Sequence, residues 1–434
     1  MRSNGSSVSP APRSESMAYP KASTSTLVSK MQYVCRQNGR ALIATLVFFA
    51  FVGVLASDAL HDLRQGTAGG LRGIITPKGI NHAASLQHWG GAVHNGYFKV
   101  QDSVMGPMRF NFAAVTDLDE LSRVEWEKKP TFRSVLVPGT LTATQGRYHI
   151  KFENARELLT LHNEAGRGAE FSELTVYNDR LLTFDDRTGD VFELLNNAEA
   201  TKSFVVPRFV ITEGNGDTDK GMKWEWSTVK NGELYMGSMG KEYTRPDGTI
   251  QNRNNLWIGI LNAEGELRRE DWTDQYNVVR KALKALSPGY LIIEAVNWSD
   301  HLQKWVFLPR RISETAYDEN EDERRGGRQL VLVSPDFSST QVVDINLQKD
   351  PLKGFSTFAF VPNTNDRHAF AIRSVEEDCV GGLETCKQRS YFIVFDVLSG
   401  ETLSEEVKYP EDLKFEGLEF VNIYTKPPPF SNMT

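Results

Sequence analysis

The chain of 434 residues reads as an all-β protein, a five-bladed β-propeller. Two observations lead there. Five short apolar segments each carry one oxygen-bearing residue in the same setting: Ala169-Glu170-Phe171-Ser172, Met222-Lys223-Trp224-Glu225, Leu291-Ile292-Ile293-Glu294, Lys353-Gly354-Phe355-Ser356 and Leu413-Lys414-Phe415-Glu416. Successive polar positions (Ser172, Glu225, Glu294, Ser356, Glu416) are 53, 69, 62 and 60 residues apart, a spacing that suits one four-stranded blade plus its loops. Most of these segments lead into a strand, a turn and a second strand, most clearly Leu174–Tyr177, Asn178-Asp179-Arg180 and Leu181–Phe184. The innermost strand of each blade lines the central channel. Five inner strands bearing Ser172, Glu225, Glu294, Ser356 and Glu416 point a ring of hard oxygens at one axis. Such a ring does not stay ionised and uncompensated in a narrow channel. Ca²⁺, which takes about 6–8 oxygen ligands, is the expected occupant.

The N-terminus comes first in the chain. Residues 1–40 are Ser-rich and polar, with six basic residues against Glu15 alone, and read as a disordered cytosolic tail. Ala41–Ser57 is an uncharged apolar run, flanked by Arg36 and Arg40 before it and Asp58 and Asp62 after it. Its length suits a thin early-secretory membrane. The flanking charges predict a single N-terminal transmembrane helix, a type II signal anchor with a lumenal body in the ER/Golgi. Cleavage after Val54-Leu55-Ala56 as a signal peptide, giving a secreted form, is the alternative. Residues 58–104 are rich in Gly and His without sustained periodicity and read as a stem; His82, His88 and His94 are ordinary surface histidines. A propeller domain over residues 105–425 and a tail at 426–434 complete the order.

From Arg109 onward strand signals dominate: Arg109–Val115, Thr175–Phe184, Glu233–Gly237, Gln303–Leu308, Gln329–Val333 and Ser390–Asp396. The best helical stretch, Asp274–Leu286, stands alone, which disfavours an alternating α/β sheet. Asp318–Arg325 reads as a solvated loop. The formal net charge of −7 leaves the body acidic once the basic leader is set aside, and an acidic body argues against nucleic acid as partner. Cys379 and Cys386 close a short Gly-rich loop and are expected to pair in an oxidising lumen. Cys35 is an idle thiol beside the membrane. Asn297-Trp298-Ser299 and Asn432-Met433-Thr434 are glycosylation sequons on the lumenal side.

Two acidic motifs stand out. Asp117-Leu118-Asp119 follows a strand, and alternation puts both carboxylates on one face of an extended segment. The pair suits water activation or metal bridging, or the Asp-x-Asp of a nucleotide-sugar glycosyltransferase. Asp185-Asp186-Arg187-Thr188-Gly189 follows another strand and is either a plain turn or a charged site. Arg167, Arg187, Lys220 and Lys241, on Gly-rich turns near the expected channel, are candidates to hold phosphate oxygens. Trp224, Trp226 and Tyr243 are candidates to stack on a base.

These motifs and their order resemble the calcium-activated nucleotidases, the apyrase family. The likeness runs from about Arg109 to Val421. It is carried by Asp117-Leu118-Asp119, Gly166-Arg167-Gly168, Ser172-Glu173-Leu174, Asp185–Gly189, Lys220-Gly221, Glu225-Trp226, Phe307–Arg311, Ser334–Phe337, Gly354-Phe355-Ser356 and Glu416–Phe420. The resemblance implies a five-bladed propeller with a central calcium ion and hydrolysis of nucleoside di- and triphosphates. It implies Ser172, Glu225, Glu294, Ser356 and Glu416 as calcium ligands, and Asp117 and Asp186 as active-site carboxylates. Asp119, Arg167, Arg187, Lys220 and Lys241 are then expected to bind substrate. UDP and GDP are the expected substrates of an anchored lumenal enzyme. A secreted ADP- and ATP-hydrolysing apyrase and a glycosyltransferase are the alternatives, as is a non-enzymatic propeller that calcium merely holds together. A homodimer is compatible with this reading.

Overall fold

The computed structural model describes residues 97–99, 109–125, 127–197, 202–245, 249–379 and 386–423. The expected tail, anchor, most of the stem and the sequon at Asn432 lie outside these residues. Among the described residues no helix is long and apolar enough to cross a membrane.

Five antiparallel sheets follow one another along the chain. Blade 1 holds strands Phe171–Tyr177, Arg180–Asp185, Asp190–Asn196 and Ser203–Val210 in that order from the channel outward. Blade 2 holds Trp226–Lys230, Glu233–Gly237, Trp257–Leu261 and Leu267–Asp271. Blade 3 holds Tyr290–Ser299, Lys304–Ser313, Gln329–Val333 and Thr340–Asp344. Blade 4 holds Gly354–Phe360, His368–Glu377, Lys387–Asp396 and Val407–Lys408. Blade 5 is composite. Its inner strand, Phe415–Glu419, comes from the C-terminal end and pairs with Arg109–Thr116 from the other end. The long strand Phe132–Thr144 follows and pairs in turn with Arg147–Phe152 and Arg156–Thr160. Pairing the two ends of the domain removes the open edge that a linear array of sheets would leave.

Packing confirms the ring. Five separate buried clusters fill the five interfaces between neighbouring blades. Phe184, Trp224 and Met236 join blades 1 and 2, and Trp226, Leu291 and Trp305 join blades 2 and 3. Phe355 and Val306 join blades 3 and 4, Phe112, Phe370 and Phe392 join blades 4 and 5, and Val115, Leu136, Phe171 and Phe192 join blades 5 and 1. Sheets buried on both faces explain why central strands such as Leu330–Val333 are continuously apolar. The hairpin predicted at Asn178-Asp179 is present, with both residues at positive φ (48° and 57°), the twist that two-residue hairpins favour.

Three expectations are corrected. Tyr97–Lys99, assigned to the stem, is a strand paired with Val421–Ile423. Asp318–Arg325 contains a short helix, Glu319–Asp322, because the Asp318 carboxylate accepts hydrogen bonds from the Asn320 and Glu321 amides. The helix predicted over Asp274–Leu286 spans Thr273–Ala282; Lys284, at a φ of 59°, marks the break. Cys379 and Cys386 are disulfide-bonded across the ends of adjacent blade 4 strands, as the sequence predicts.

Candidate functional site

Each ring residue stands in or just before an inner strand, and the backbone gives the reason it reaches the channel. In blades 1, 3, 4 and 5 it is the extra residue of a β-bulge. The ladder passes from Phe171 to Glu173, from Ile293 to Ala295, from Phe355 to Thr357 and from Phe415 to Gly417. Ser172, Glu294, Ser356 and Glu416 are therefore unpaired in the ladder, and a bulge re-aims such a side chain. Glu225 precedes the first paired residue of blade 2 and is tied by its amide to the Gly237 carbonyl at 2.8 Å. Gly417 follows from the same crowding. A Cβ there would meet the backbone of Glu173 and Leu174 at 2.7 and 2.9 Å.

The result is a buried carboxylate centre. Glu225, Glu294 and Glu416 each place an oxygen within 4.8 Å of the others. Beside them Asp117, Glu170 and Asp186 form a second such group. Cationic side chains thread between the two. Lys223 bonds Glu225 at 2.7 Å and also bonds Asp186. Lys414 bonds Asp117, Asp119 and Glu376 at 2.7–2.8 Å and lies 3.5 Å from Glu416. Arg310 joins Glu294, Glu416 and Glu376 at 2.6–2.7 Å. Arg167 takes both oxygens of Glu170, at 2.8 and 2.5 Å, and lies 3.4 Å from Asp119. Among the described residues, the ion pairs of Asp117, Asp119, Glu170, Asp186, Glu225, Glu294, Glu376 and Glu416 are with Arg167, Lys223, Arg310 and Lys414, so anionic groups are in excess.

The acidities express that excess. Burial pushes Glu225 up to about 8; Lys223 opposes the rise and the neighbouring Glu294 charge adds to it. Glu170 is raised to about 9 by burial and by Asp186 and Asp117, against the pull of Arg167. Glu416 is raised well above the ordinary carboxylate range, chiefly by burial. Burial also works to raise Asp117, but the charge and hydrogen bond of Lys414 outweigh it and hold that carboxyl below its usual value. Asp119 goes the other way, raised by burial and by the Asp117 charge.

The donor set fits a hard divalent cation. Its atoms are all oxygens, three of them from glutamates that cannot all be ionised together without added positive charge. Ser172 Oγ is buried and has no hydrogen-bond partner among the described residues, as expected of an atom that ligates an ion. Ser356 Oγ donates to the Phe415 carbonyl at 2.8 Å and keeps its lone pairs.

The structure sorts the remaining predicted residues. Asp117-Leu118-Asp119 is not extended. The strand ends at Thr116, and the Asp117 carboxylate accepts the Asp119 amide at 2.8 Å, with Asp119 at a φ of 48°. The two carboxylates still meet, at Lys414. In Asp185–Gly189 the roles divide. Asp185 is a turn residue, accepting the amides of Ala169, Arg187 and Thr188 at 2.8–3.0 Å. Asp186 faces the centre, and among the described residues its buried Oδ1 has no hydrogen-bond partner. The buried Nε of Arg187 likewise has none among them. Lys220 bonds the Tyr243 hydroxyl at 2.6 Å, and Lys241 bonds Thr244 at 2.8 Å and sits over the Tyr317 ring. Neither lysine pairs with a carboxylate of the centre. Trp224 and Trp226 are buried between blades and do not present a face to a base. Asn297 stands within the inner strand of blade 3, its amide nitrogen donating to the Phe358 carbonyl at 2.7 Å.

Glu170, Lys223, Arg310, Glu376 and Lys414 are the members that the sequence reading did not assign. For three of them a signal existed. Glu170, Lys223 and Lys414 each lie two residues before a ring position, the spacing that shares a face of an extended segment. Arg310 and Glu376 come from second strands and follow no repeat; Arg310 is itself skipped in the blade 3 ladder between Pro309 and Arg311. A cavity of about 730 Å³ opens at the other end of the channel, lined among others by Thr175, Ser227, Trp298, Phe360 and Glu419. None of the charged residues of the centre lines it, and chemistry rather than volume marks the site.

A family profile described as Apyrase matches residues 118–421. The chain is 38% identical over 319 residues to soluble calcium-activated nucleotidase 1 of Rattus norvegicus, covering 73% of this chain and 75% of that one. It is 36% identical over 318 residues to the apyrase of Cimex lectularius, covering 72% and 83% of the two chains. Apyrase apy-1 of Caenorhabditis elegans is 35% identical over 331 residues, covering 75% and 88%. The matched span takes in blades 1 to 4, all of blade 5 except its strand Arg109–Thr116, and every carboxylate of the centre except Asp117, which lies one residue before it, and the chain belongs to the apyrase family.

Proposed function

We propose that the chain is a calcium-dependent nucleoside diphosphatase that hydrolyses UDP and GDP, and more slowly triphosphates, within the lumen of the secretory pathway. The observation that carries this reading is the convergence of two carboxylate groups, Glu225–Glu294–Glu416 and Asp117–Glu170–Asp186, each within 4.8 Å, at one mouth of the channel. Relatives named for calcium activation and for apyrase activity support the ion and the reaction class. Ser172, Glu225, Glu294, Ser356 and Glu416 would hold the calcium ion, one from each blade. When bound, it supplies positive charge against phosphate oxygens.

The chain's own groups supply the rest. Asp186 is anchored through Oδ2 by Lys223, while Oδ1 is free to accept the proton of an attacking water. Asp117 is fixed by Lys414 and the Asp119 amide and positions that water from the other side. Arg167, beside Glu170 and Asp119, and Arg187, next to Asp186 in the chain, would offer N–H donors to phosphate oxygens, contacts that strengthen as charge shifts toward the leaving group. Water attack then yields a nucleoside monophosphate and phosphate. Asp117 and Asp119 both engage Lys414, so the pair does not stand free as the metal-binding Asp-x-Asp of a glycosyltransferase would.

An anchor at residues 41–57 would place this activity where UDP and GDP arise as products of glycosyl transfer. Phosphate release from UDP, GDP, ADP and ATP with Ca²⁺ and with Mg²⁺ tests the reading. Expected is a kcat/KM for UDP and GDP about 10–100-fold above that for ADP, the range of small pocket differences, and dependence on Ca²⁺. A preference for ADP would favour a secreted purinergic role. Absence of hydrolysis in Ca²⁺ would overturn the enzymatic reading.

A further inference from the structure

Lys223 and Lys414 occupy matching places. Each stands two residues before a ring glutamate, Glu225 and Glu416, at the start of the inner strands of blades 2 and 5. These blades flank blade 1, which carries Glu170 and Asp186. Each ammonium reaches both ways. Lys223 bonds Glu225 at 2.7 Å on the ring side and Asp186 on the other. Lys414 lies 3.5 Å from Glu416 on the ring side and bonds Asp117 at 2.8 Å on the other. Nothing in the fold demands this pairing. The corresponding positions in blades 3 and 4 are Ile292 and Gly354.

We propose that Lys223 and Lys414 are positioning residues through which occupancy of the glutamate ring sets the geometry of Asp186 and Asp117. The proposal rests on the calcium-dependent reading above. An ammonium bonded to a ring glutamate competes with a divalent cation for the same oxygen, and like charges repel strongly in a buried site. Filling the ring therefore weakens the ring end of each bridge. The ammonium then leans toward Asp186 or Asp117, where it both fixes the carboxylate and meets arriving phosphate oxygens. Linkage requires the reverse as well: a phosphate group that draws the ammoniums to that side tightens cation binding at the ring by the same factor.

A lysine that only holds the fold together gives a different sign. Its loss would loosen the carboxylates and weaken cation binding. A lysine that competes at the ring must, when removed, let the cation bind more tightly while turnover falls. Calcium binding to the full-length protein without nucleotide is measured by calorimetry for wild type, Lys223→Met, Lys223→Arg and Lys414→Met, with kcat for UDP at saturating Ca²⁺ alongside. Expected in Lys223→Met and Lys414→Met is calcium affinity raised about 10-fold and kcat lowered at least about 10-fold, with Lys223→Arg restoring both toward wild type. A non-hydrolysable UDP analogue should tighten calcium binding in wild type and lose that effect in the methionine variants. Weaker calcium binding, or an unchanged kcat, in either methionine variant that melts cooperatively would overturn the proposal, and Lys223→Gln replaces Lys223→Met if the latter does not fold. A wild-type protein that fails to bind calcium would instead overturn the functional reading itself.

Discussion

Glu225 and Glu294 are buried at 2% and 6% exposure, so their chemistry depends on what neutralises them. Glu225→Gln and Glu294→Gln should each weaken calcium binding, activity and the calcium-induced rise in Tm together; wild-type calcium dependence in either would contradict the ring assignment. Asp186→Asn should separate binding from chemistry. The amide cannot accept a proton, so turnover falls by about 10²-fold or more while calcium still stabilises the fold, as a phosphate-release assay beside a melting curve would reveal. The raised acidity constant of Glu225 gives a pH dependence. Folded and ion-free, the group titrates at about 8 against an ordinary value of 4.5. Its contribution to stability is thus full below the lower value and is lost as pH rises through the upper one. Calcium must displace that proton. Calorimetry in two buffers of different ionisation heat should show net proton release on calcium binding near pH 6.5, and Glu225's share of that release should fall as pH rises through about 8. At this scale the convergence of Glu225, Glu294 and Glu416 was legible, because one oxygen-bearing residue recurred in five similar apolar contexts. Arg310 and Glu376 were not, since each serves one blade only and has no counterpart to mark it.

The bulges are the elements that turn a regular ladder into a site. Glu416 reaches the channel only because the ladder skips it, and Gly417 beside it leaves room for the backbone of blade 1. Gly417→Ala should therefore cost about 1–3 kcal/mol, the range for forced overpacking, and weaken calcium binding by displacing Glu416. A variant with unchanged denaturation midpoint would show that the blades move apart freely there. The Cys379–Cys386 bond closes a short loop at the ends of two paired strands, and loop-entropy arguments put its contribution at about 2–3 kcal/mol. Central strands such as Glu233–Gly237 and Gln329–Val333 were readable to the residue from their apolar runs. Outer strands such as Leu267–Asp271 and Thr340–Asp344 were not. They are mostly exposed, so no hydrophobic alternation betrays them, and only pairing with the strand inside them makes them strands. The bulges were invisible for a related reason, since register is a property of two strands and the sequence displays one at a time.

The whole domain is a closed ring of five interfaces, and closure depends on a strand from one end of the described chain meeting strands from the other. That long-range pairing was the least legible feature, because no local pattern joins Arg109–Thr116 to Phe415–Glu419. A chain ending before Leu413 would lose the inner strand of blade 5 together with Lys414 and Glu416, and should not give a cooperative melt. At this scale the ion matters most, since the proposed ligands, drawn from every blade, would let one bound cation tie the ring together. Calcium titration with phosphate release from UDP, on wild type and Glu294→Gln side by side, tests that account most directly. The account predicts that release follows calcium occupancy in wild type and that the calcium needed rises at least about 10-fold in the variant, as loss of a charged ligand demands. Equal release from both proteins over the same calcium range, or full release in the presence of a chelator, would contradict it.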